Sequence, residues 1–372
     1  MTAHAALDDN GGRVQVTWAD GFHRAVGARW LFDHADDARD PVSRQRSHGA
    51  LGLAGVRLAA AAVEGGRLAF RFTASDAQFC IALDRLRAGE RPVHPVTLWL
   101  TPESIFDAEP VAFDDYLGDD HRARAVLSRV VTHGLAVLVG AGRDPEAVER
   151  AVARFGFIRE TNYGRLFDVR IEPQPGNLAY TDQALELHAD NPYRDPVPTL
   201  QLLHAITADA GGGETLFVDG SAHAEALRRD APEAFDVLAR TPVRFTFAAE
   251  TGERWSHASP VLSLDATGAV QTVRLNHRSL DLAPGEAATT DAWYDAYLAY
   301  YRRLHAPEVA YGRRLAPGEL VIFDNRRLLH GRRALTSGSP RWLRGCYADV
   351  DGLAATLARM DRAAATEPTH AS

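Results

Sequence analysis

A chain of 372 residues, 46% of them hydrophobic and 24% charged, is long enough for two domains and has the balance of a globular protein with a large core. Its formal net charge of −8, with basic residues scattered along the chain, argues against a nucleic-acid partner or an anionic membrane surface. Its two cysteines, Cys80 and Cys346, rule out a disulfide framework or a cysteine-built zinc site within one chain. The opening stretch MTAHAALDDNGGRVQV lacks the basic-then-apolar order of a secretory signal. No segment approaches the apolar length of a membrane span, so a soluble cytoplasmic protein is expected.

The first strands read from alternation. Arg13–Trp18 and Arg67–Thr73 alternate clearly and Gly52–Ala61 less so, with turn signals at Gly11–Gly12 and Gly65–Gly66. These give a small β-rich domain over residues 1–95. Beyond Pro110, Asp119–His133 is an amphipathic helix, Leu135–Val139 an apolar strand and Pro145–Phe155 a second helix. From Thr181 onward short strands dominate: Leu200–Ile206, Glu214–Val218, Val243–Phe247, Val270–Leu275, Glu319–Phe323 and Arg341–Tyr347. Helices over Ser221–Asp230 and Ala292–Leu304 interrupt them. The fold class expected for residues 96–372 is mainly β with helical insertions, as a double-stranded β-helix or jelly roll. The small, polar tail beyond Asp361 is expected to fray.

His188-Ala189-Asp190 follows an alternating segment, and His330 lies a short turn past the strand ending at Phe323. Two imidazoles and a carboxylate on one face leave coordination positions open, which suits non-haem Fe(II). Residues two apart on a strand share a face, so His188 and Asp190 can act together. Arg341, on the next strand, offers a two-pronged grip for a carboxylate, and the distal carboxylate of 2-oxoglutarate is its natural occupant. Thr215, entering a strand after Gly212-Gly213, places a hydroxyl where the same cosubstrate could use it.

Four segments, LHADNPYRDPVPTLQLLHAI, GGETLFVDG, FDNRRLLHGRRAL and PRWLRGCYADVDG, make the chain resemble the γ-butyrobetaine hydroxylase and trimethyllysine dioxygenase family of taurine-dioxygenase-like oxygenases. The resemblance implies a jelly-roll catalytic domain that uses Fe(II), 2-oxoglutarate and O2, with ascorbate helpful in vitro, to hydroxylate an unactivated C–H bond. It implies iron on His188, Asp190 and His330, and 2-oxoglutarate on Thr215 and Arg341. It also implies a trimethylammonium substrate in an aromatic cage, for which Tyr163, Phe167, Tyr180 and Tyr347 stand at similar positions. Ring faces are the physical means of holding a cation that cannot donate hydrogen bonds. At the anionic end the resemblance places Asn177, His277 and Arg278.

Several relatives carry a cysteine-based zinc site near the N-terminus. The matching stretch here, WLFDHADDARDPVSRQR, has no cysteine, so no structural zinc is expected despite His34, Asp36, Asp37 and Asp40. A homodimer is the expectation by resemblance. γ-Butyrobetaine, giving carnitine, is the leading substrate and 2-(trimethylammonio)ethylphosphonate the runner-up. A non-catalytic, cupin-like binding protein is the alternative from another class.

Overall fold

The computed structural model describes residues 2–43, 45–87, 94–102, 109–171, 180–208, 211–249, 252–336 and 341–366. By its contacts the chain divides into two compact units, Met1–Val93 and His94–Ser372.

The first unit holds two antiparallel sheets. One runs β1 (Ala3–Leu7), β2 (Arg13–Trp18), β3 (His23–Gly27), and the other β4 (Leu58–Glu64), β5 (Arg67–Phe72), β6 (Gln78–Ala82). The alternation of RVQVTW buries Val14, Val16 and Trp18, which join Leu31, Leu68, Phe70 and Ile81 in one apolar core. This unit therefore closes on its own side chains. The strand expected over Gly52–Ala61 begins only at Leu58: Ala50–Leu53 forms a 3-10 turn, and Gly55 at φ +70° takes the chain out of extended geometry. In the acidic segment Asp33 pairs with Arg46 at 2.7 Å and lies beside His34 and His48.

The second unit is built on two larger sheets. The first has the order β10 (Phe167–Arg170), β22 (Trp342–Ala348), β12 (Leu200–Thr207), β20 (Leu320–Asp324), β8 (Leu135–Val139), β7 (Val111–Ala112), with β9 (Ile158–Arg159) also on β22. The second runs β11 (Leu185–His188), β21 (Leu328–Arg332), β13 (Thr215–Asp219), β19 (Tyr311–Arg313). Pairing is antiparallel throughout except between β7 and β8. β12 is buried along almost its whole length, which is why LQLLHAI reads as a continuous apolar run. Leu200 and Leu202 pack on one side with the helices Asp120–His133, Ala147–Ala153 and Val350–Thr366. Leu203 and Ala205 pack on the other, with Val321 and Phe323 of β20 and Phe217 of β13. The rings of Phe217 and Phe323 meet edge-on at 5.0 Å, so the two sheets share this layer. A smaller sheet joins β14 (Val243–Ala248) to β15 (Arg254–Ser259) and β18 (Leu280–Asp281), and β16 (Leu262–Leu264) pairs with β17 (Val270–Val273).

Local signals account for the helix ends. Asp119 caps Asp120–His133 by accepting from the backbone of His121 and Arg122, and Gly134 ends the helix in the left-handed region. The tail does not fray at Asp361 as expected, because the helix Val350–Thr366 carries on through it. Leu353, Leu357 and Met360 bury one face of that helix, Asp361 bonds His94 and Arg124, and the alanine-rich run beyond favours helix. Among the described residues no helix is long and apolar enough to cross a membrane.

One buried ion pair ties these parts together. Asp219, fully buried at the end of β13, accepts from the Arg327 guanidinium at 2.6 and 3.1 Å and from the backbone N–H groups of Trp99 and Ala222. Arg327 also donates to the carbonyls of Thr97 and Thr132. Removing one member of such a pair leaves the other charged and desolvated. Asp219→Ala should therefore cost about 3–5 kcal/mol of stability in the second unit, read from denaturant unfolding; a loss below about 1 kcal/mol would contradict this reading of the pair.

Candidate active site

Register decides where the two histidines meet. β11 and β21 pair with Leu185 opposite Arg332, and an unbroken ladder would then set Leu187 opposite His330. A bulge between Leu185 and His188 shifts the register by one residue, so that His188 faces His330. A one-residue shift exchanges the faces of a strand, and bulges commonly re-aim side chains in this way. The two imidazoles lie 4.3 Å apart, centroid to centroid. The short turn expected after the strand ending near Phe323 is present at residues 325–327, and His330 sits inside the strand that follows it, β21.

Asp190, just past β11, completes the cluster. Its Oδ1 is 3.3 Å from His188 Nε2 and its Oδ2 is 3.8 Å from His330 Nε2. One ligand atom from each residue lies within 4.8 Å of the others, the sole such group of metal-binding side chains among the described residues. Two nitrogens and one oxygen converging from one side can hold an ion and leave its other positions open. His188 Nδ1 lies 2.8 Å from the Glu186 carbonyl; that bond requires the proton on Nδ1 and leaves the Nε2 lone pair for a metal.

The backbone at Asp190 is fixed by a neighbouring strand turn. The side-chain amide of Asn325 accepts the Asp190 N–H at 2.8 Å and donates to the carbonyls of Asp190 and Pro198 at 3.1 and 2.9 Å. Asn191 turns the chain at φ +52°, a conformation that asparagine tolerates. The Tyr347 hydroxyl donates to Asp190 Oδ2 at 2.8 Å. Burial opposes the Asp190 charge, but His330, His188 and the Tyr347 hydroxyl hold its carboxyl well below the ordinary carboxylate range. Burial and the adjacent His188 push the His330 imidazole down to about 3, so it is neutral, as a ligand must be.

A cavity of about 280 Å³ opens on this cluster. His188, Asp190, His330, Thr215, Arg341, Tyr163, Phe167, Tyr180, Arg278 and Tyr347 all line it. Arg341 has no ion-pair partner among the described residues; burial, and then the nearby Arg332 charge, lower its guanidinium to about 9. The buried Thr215 hydroxyl also has no hydrogen-bond partner among the described residues. A recessed guanidinium and an unsatisfied hydroxyl in one cavity favour an anion beside them, so Arg341 and Thr215 fit a dicarboxylate cosubstrate. The close approach depends on Gly213, at φ +70°, where a Cβ would stand 2.3 Å from Leu335.

The aromatic walls are set by strand pairing. Phe167 of β10 stands opposite Gly345 of β22, and its ring lies where a Cβ on Gly345 would be, at 2.5 Å. Phe167 is 5.0 Å from Tyr347 and 6.4 Å from Tyr163 between centroids.

The family model described as taurine catabolism dioxygenase TauD, TfdA family, matches residues 93–347. The chain is 32% identical over 354 residues to a γ-butyrobetaine dioxygenase of Pseudomonas sp. (strain AK-1), covering 94% of this chain and 79% of that one. This chain belongs to the TauD/TfdA family of dioxygenases. Human γ-butyrobetaine dioxygenase is 32% identical over 244 residues, covering 64% of this chain and 63% of the relative. Bovine mitochondrial trimethyllysine dioxygenase is 29% identical over 270 residues, covering 70% and 63%. The chain thus spans less than two thirds of the length of these two relatives. Among solved structures, an asparagine oxygenase is similar at 20% identity with a TM-score of 0.48, covering 63% of this chain and 82% of that one.

The protein is an enzyme, a dioxygenase of this family, and the reading as a non-catalytic binding protein is set aside. Asn177 lies outside the described residues. His277 is not among the residues lining the cavity; it is exposed, and its ring stacks on Tyr297 at 5.8 Å. Asn276 lines the cavity instead, because residues 275–276 cross Ala189: the Leu275 carbonyl accepts the Ala189 N–H at 2.7 Å and Asn276 donates to the Ala189 carbonyl. Also absent from the sequence reading were Arg332, Tyr193, Phe247 and Gln201, all of which line the cavity. The period of two would have found Arg332, two residues beyond His330 on one strand.

The Asn325 clamp yields a test. Asn325→Ala should weaken metal binding by about 10–100-fold, the usual effect of losing a group that orients a ligand. Titration with Mn(II) followed by the rise in melting temperature measures it. Unchanged affinity would show that Asp190 is placed without Asn325.

Proposed function

We propose that this dioxygenase hydroxylates a small trimethylammonium acid, with γ-butyrobetaine to carnitine as the leading reaction, in a jelly-roll catalytic domain over residues 96–372. The observation that carries the reading is an aromatic-walled cavity opening directly on the His188, Asp190 and His330 cluster. A quaternary ammonium has no proton to donate, and each ring face turned to it contributes about 0.5–2 kcal/mol. Tyr163, Phe167, Tyr180 and Tyr347 supply such faces. Burial pushes the Tyr163 phenol well above its ordinary range, so it remains a neutral ring. The name of the Pseudomonas relative points the same way, and two facing antiparallel sheets suit the jelly-roll assignment.

In this reading His188 Nε2, His330 Nε2 and the Asp190 carboxylate hold iron, and Arg341 with Thr215 takes the distal carboxylate of 2-oxoglutarate. Bound iron with O2 and 2-oxoglutarate supplies the oxidising power, one 2-oxoglutarate becoming succinate and CO2 for each hydroxyl delivered. The chain's residues supply position and exclude water. Tyr347 does so twice, offering its ring to the cavity and its hydroxyl to Asp190. Arg278, exposed at the wall and without an acidic partner among the described residues, is the group for the substrate's anion. A homodimer remains part of the proposal by analogy with relatives.

A second reading rests on that same arginine. Arg278 would pair with a phosphonate as readily as with a carboxylate, so 2-(trimethylammonio)ethylphosphonate is the alternative substrate. Trimethyllysine is disfavoured, because Asp190 is the one acid among the described lining residues and no carboxylate is left for an α-ammonium.

The test is succinate formation with Fe(II), ascorbate and 2-oxoglutarate, comparing γ-butyrobetaine with the phosphonate at equal concentration. γ-Butyrobetaine should raise turnover above the substrate-free rate, and Arg278→Ala should raise its KM by about 10-fold or more, as expected for a charged hydrogen bond. Preference for the phosphonate would reassign the substrate. Stimulation by neither would remove the trimethylammonium reading and leave the dioxygenase class intact.

A further inference from the structure

Three separate segments form one face of the cavity, and a single side chain touches two of them. Phe247 of β14 lines the cavity. Its ring stacks on Tyr193 at 5.2 Å with planes 17° apart and lies 5.8 Å from Tyr163. Behind it stands Trp255 of β15, 5.9 Å away between centroids. Tyr193 is fixed at its other end: its hydroxyl donates to Asn191 Oδ1 at 2.6 Å and lies 3.5 Å from the Tyr163 hydroxyl.

Arg194 braces these pieces. Its Nε and Nη2 both donate to Asn162 Oδ1, at 3.1 and 2.8 Å, and its guanidinium carbon lies over the Trp255 ring at 5.5 Å. Asn162 in turn donates to the Tyr193 hydroxyl at 3.4 Å. The segment bearing Tyr163, the turn bearing Tyr193 and the hairpin bearing Phe247 are thereby linked through one guanidinium. A planar fork that also stacks is a task lysine cannot fully copy.

We propose that Phe247 is a direct wall of the cation pocket, backed by Tyr193, and that Arg194 is the positioning residue that holds this wall in place. The proposal rests on the trimethylammonium reading above and adds a specificity element to it. Phe247 offers the substrate a ring face from the hairpin side, in addition to the strand-borne rings of Phe167 and Tyr347. Without the brace the hairpin ring would sample other orientations, and the cation would lose one of its faces.

The experiment is calorimetric titration of the full chain holding Mn(II) and 2-oxoglutarate, a complex chosen to report binding without turnover. Two ligands are compared: γ-butyrobetaine and 5,5-dimethylhexanoate, the same shape with carbon in place of the charged nitrogen. The unaltered protein should prefer the cation. Phe247→Leu, which keeps apolar bulk but removes the ring, should weaken γ-butyrobetaine by about 2–25-fold, the span of one cation–π contact, and leave the carbon analogue within about twofold. Arg194→Met should reproduce that selective loss and Arg194→Lys restore part of it, while 2-oxoglutarate affinity stays unchanged in all three. Equal loss for both ligands in Phe247→Leu would make Phe247 ordinary packing and overturn the proposal, as would no loss at all. If the unaltered protein does not prefer the cation, the trimethylammonium reading itself falls and takes the proposal with it.

Discussion

The site depends on one register shift between two strands. β11 and β21 pair so that an unbroken ladder would face Leu187 toward His330. The bulge replaces that leucine with His188 and turns an apolar pair into two ligand-competent nitrogens. Everything else at the centre is arranged around this pairing. Asp190 falls within reach because the chain leaves β11 there, and the left-handed Asn191 stops the strand from continuing. Asn325, on the turn between β20 and β21, holds the Asp190 backbone with both ends of its amide. The strand that carries His330 therefore begins at the same turn that fixes Asp190.

The same strands place the groups suited to the cosubstrate. Arg332 shares the cavity-facing side of β21 with His330, and Thr215 begins β13, whose register sets it opposite Arg332. Arg341 enters at the start of β22, beyond the Gly212-Gly213 turn against Ala334 and Leu335. Asp219 and Arg327 stand at the other ends of these strands as a buried pair. A pair of this kind contributes little net stability, since desolvation offsets most of its attraction. Its worth is in specificity, because breaking the pair would leave a buried charge, and the alignment of β13 with β21 is the arrangement that avoids this.

Much of this was legible in the sequence, and the reasons differ by element. Strands such as Arg13–Trp18 and Leu135–Val139 announced themselves by alternation or by an apolar run. The helix over Asp119–His133 was marked by its amphipathic period. The ligand-type residues stood out by their company, since His188, Asp190 and His330 come with Arg341 and Thr215 in the order such a site requires. What could not be read was three-dimensional crossing. Nothing local to Asn276 and His277 indicates which of the two reaches the cavity; that follows from Leu275 bonding Ala189. Phe247 and Tyr193 read as ordinary core residues because their role depends on a hairpin folding over a turn some fifty residues earlier in the chain. The terminal helix was missed because a small, alanine-rich tail looks like fraying sequence until Leu353, Leu357 and Met360 find a core.

The charges in the cavity make one consistent pattern with the proposed reading. A divalent ion less the Asp190 charge leaves a net positive centre, and Arg332 and Arg341 add to it. In the proposed reading, a dianionic cosubstrate would offset that charge, and the recessed Arg341 is the group placed to receive it. A substrate cation placed near that centre cannot be met by an acid, because Asp190 is the one carboxylate among the described lining residues and would be committed to the ion. Neutral ring faces are what remains, and Tyr163, Phe167, Tyr180, Tyr347 and Phe247, all of which line the cavity, are the groups the proposal assigns to them. The proposed reading puts the substrate's own anion outward, where Arg278 is exposed and unpaired by acid among the described residues. On the proposed reading, an inner cation and an outer anion would hold a small zwitterion in one orientation, with a carbon between its two ends facing the iron.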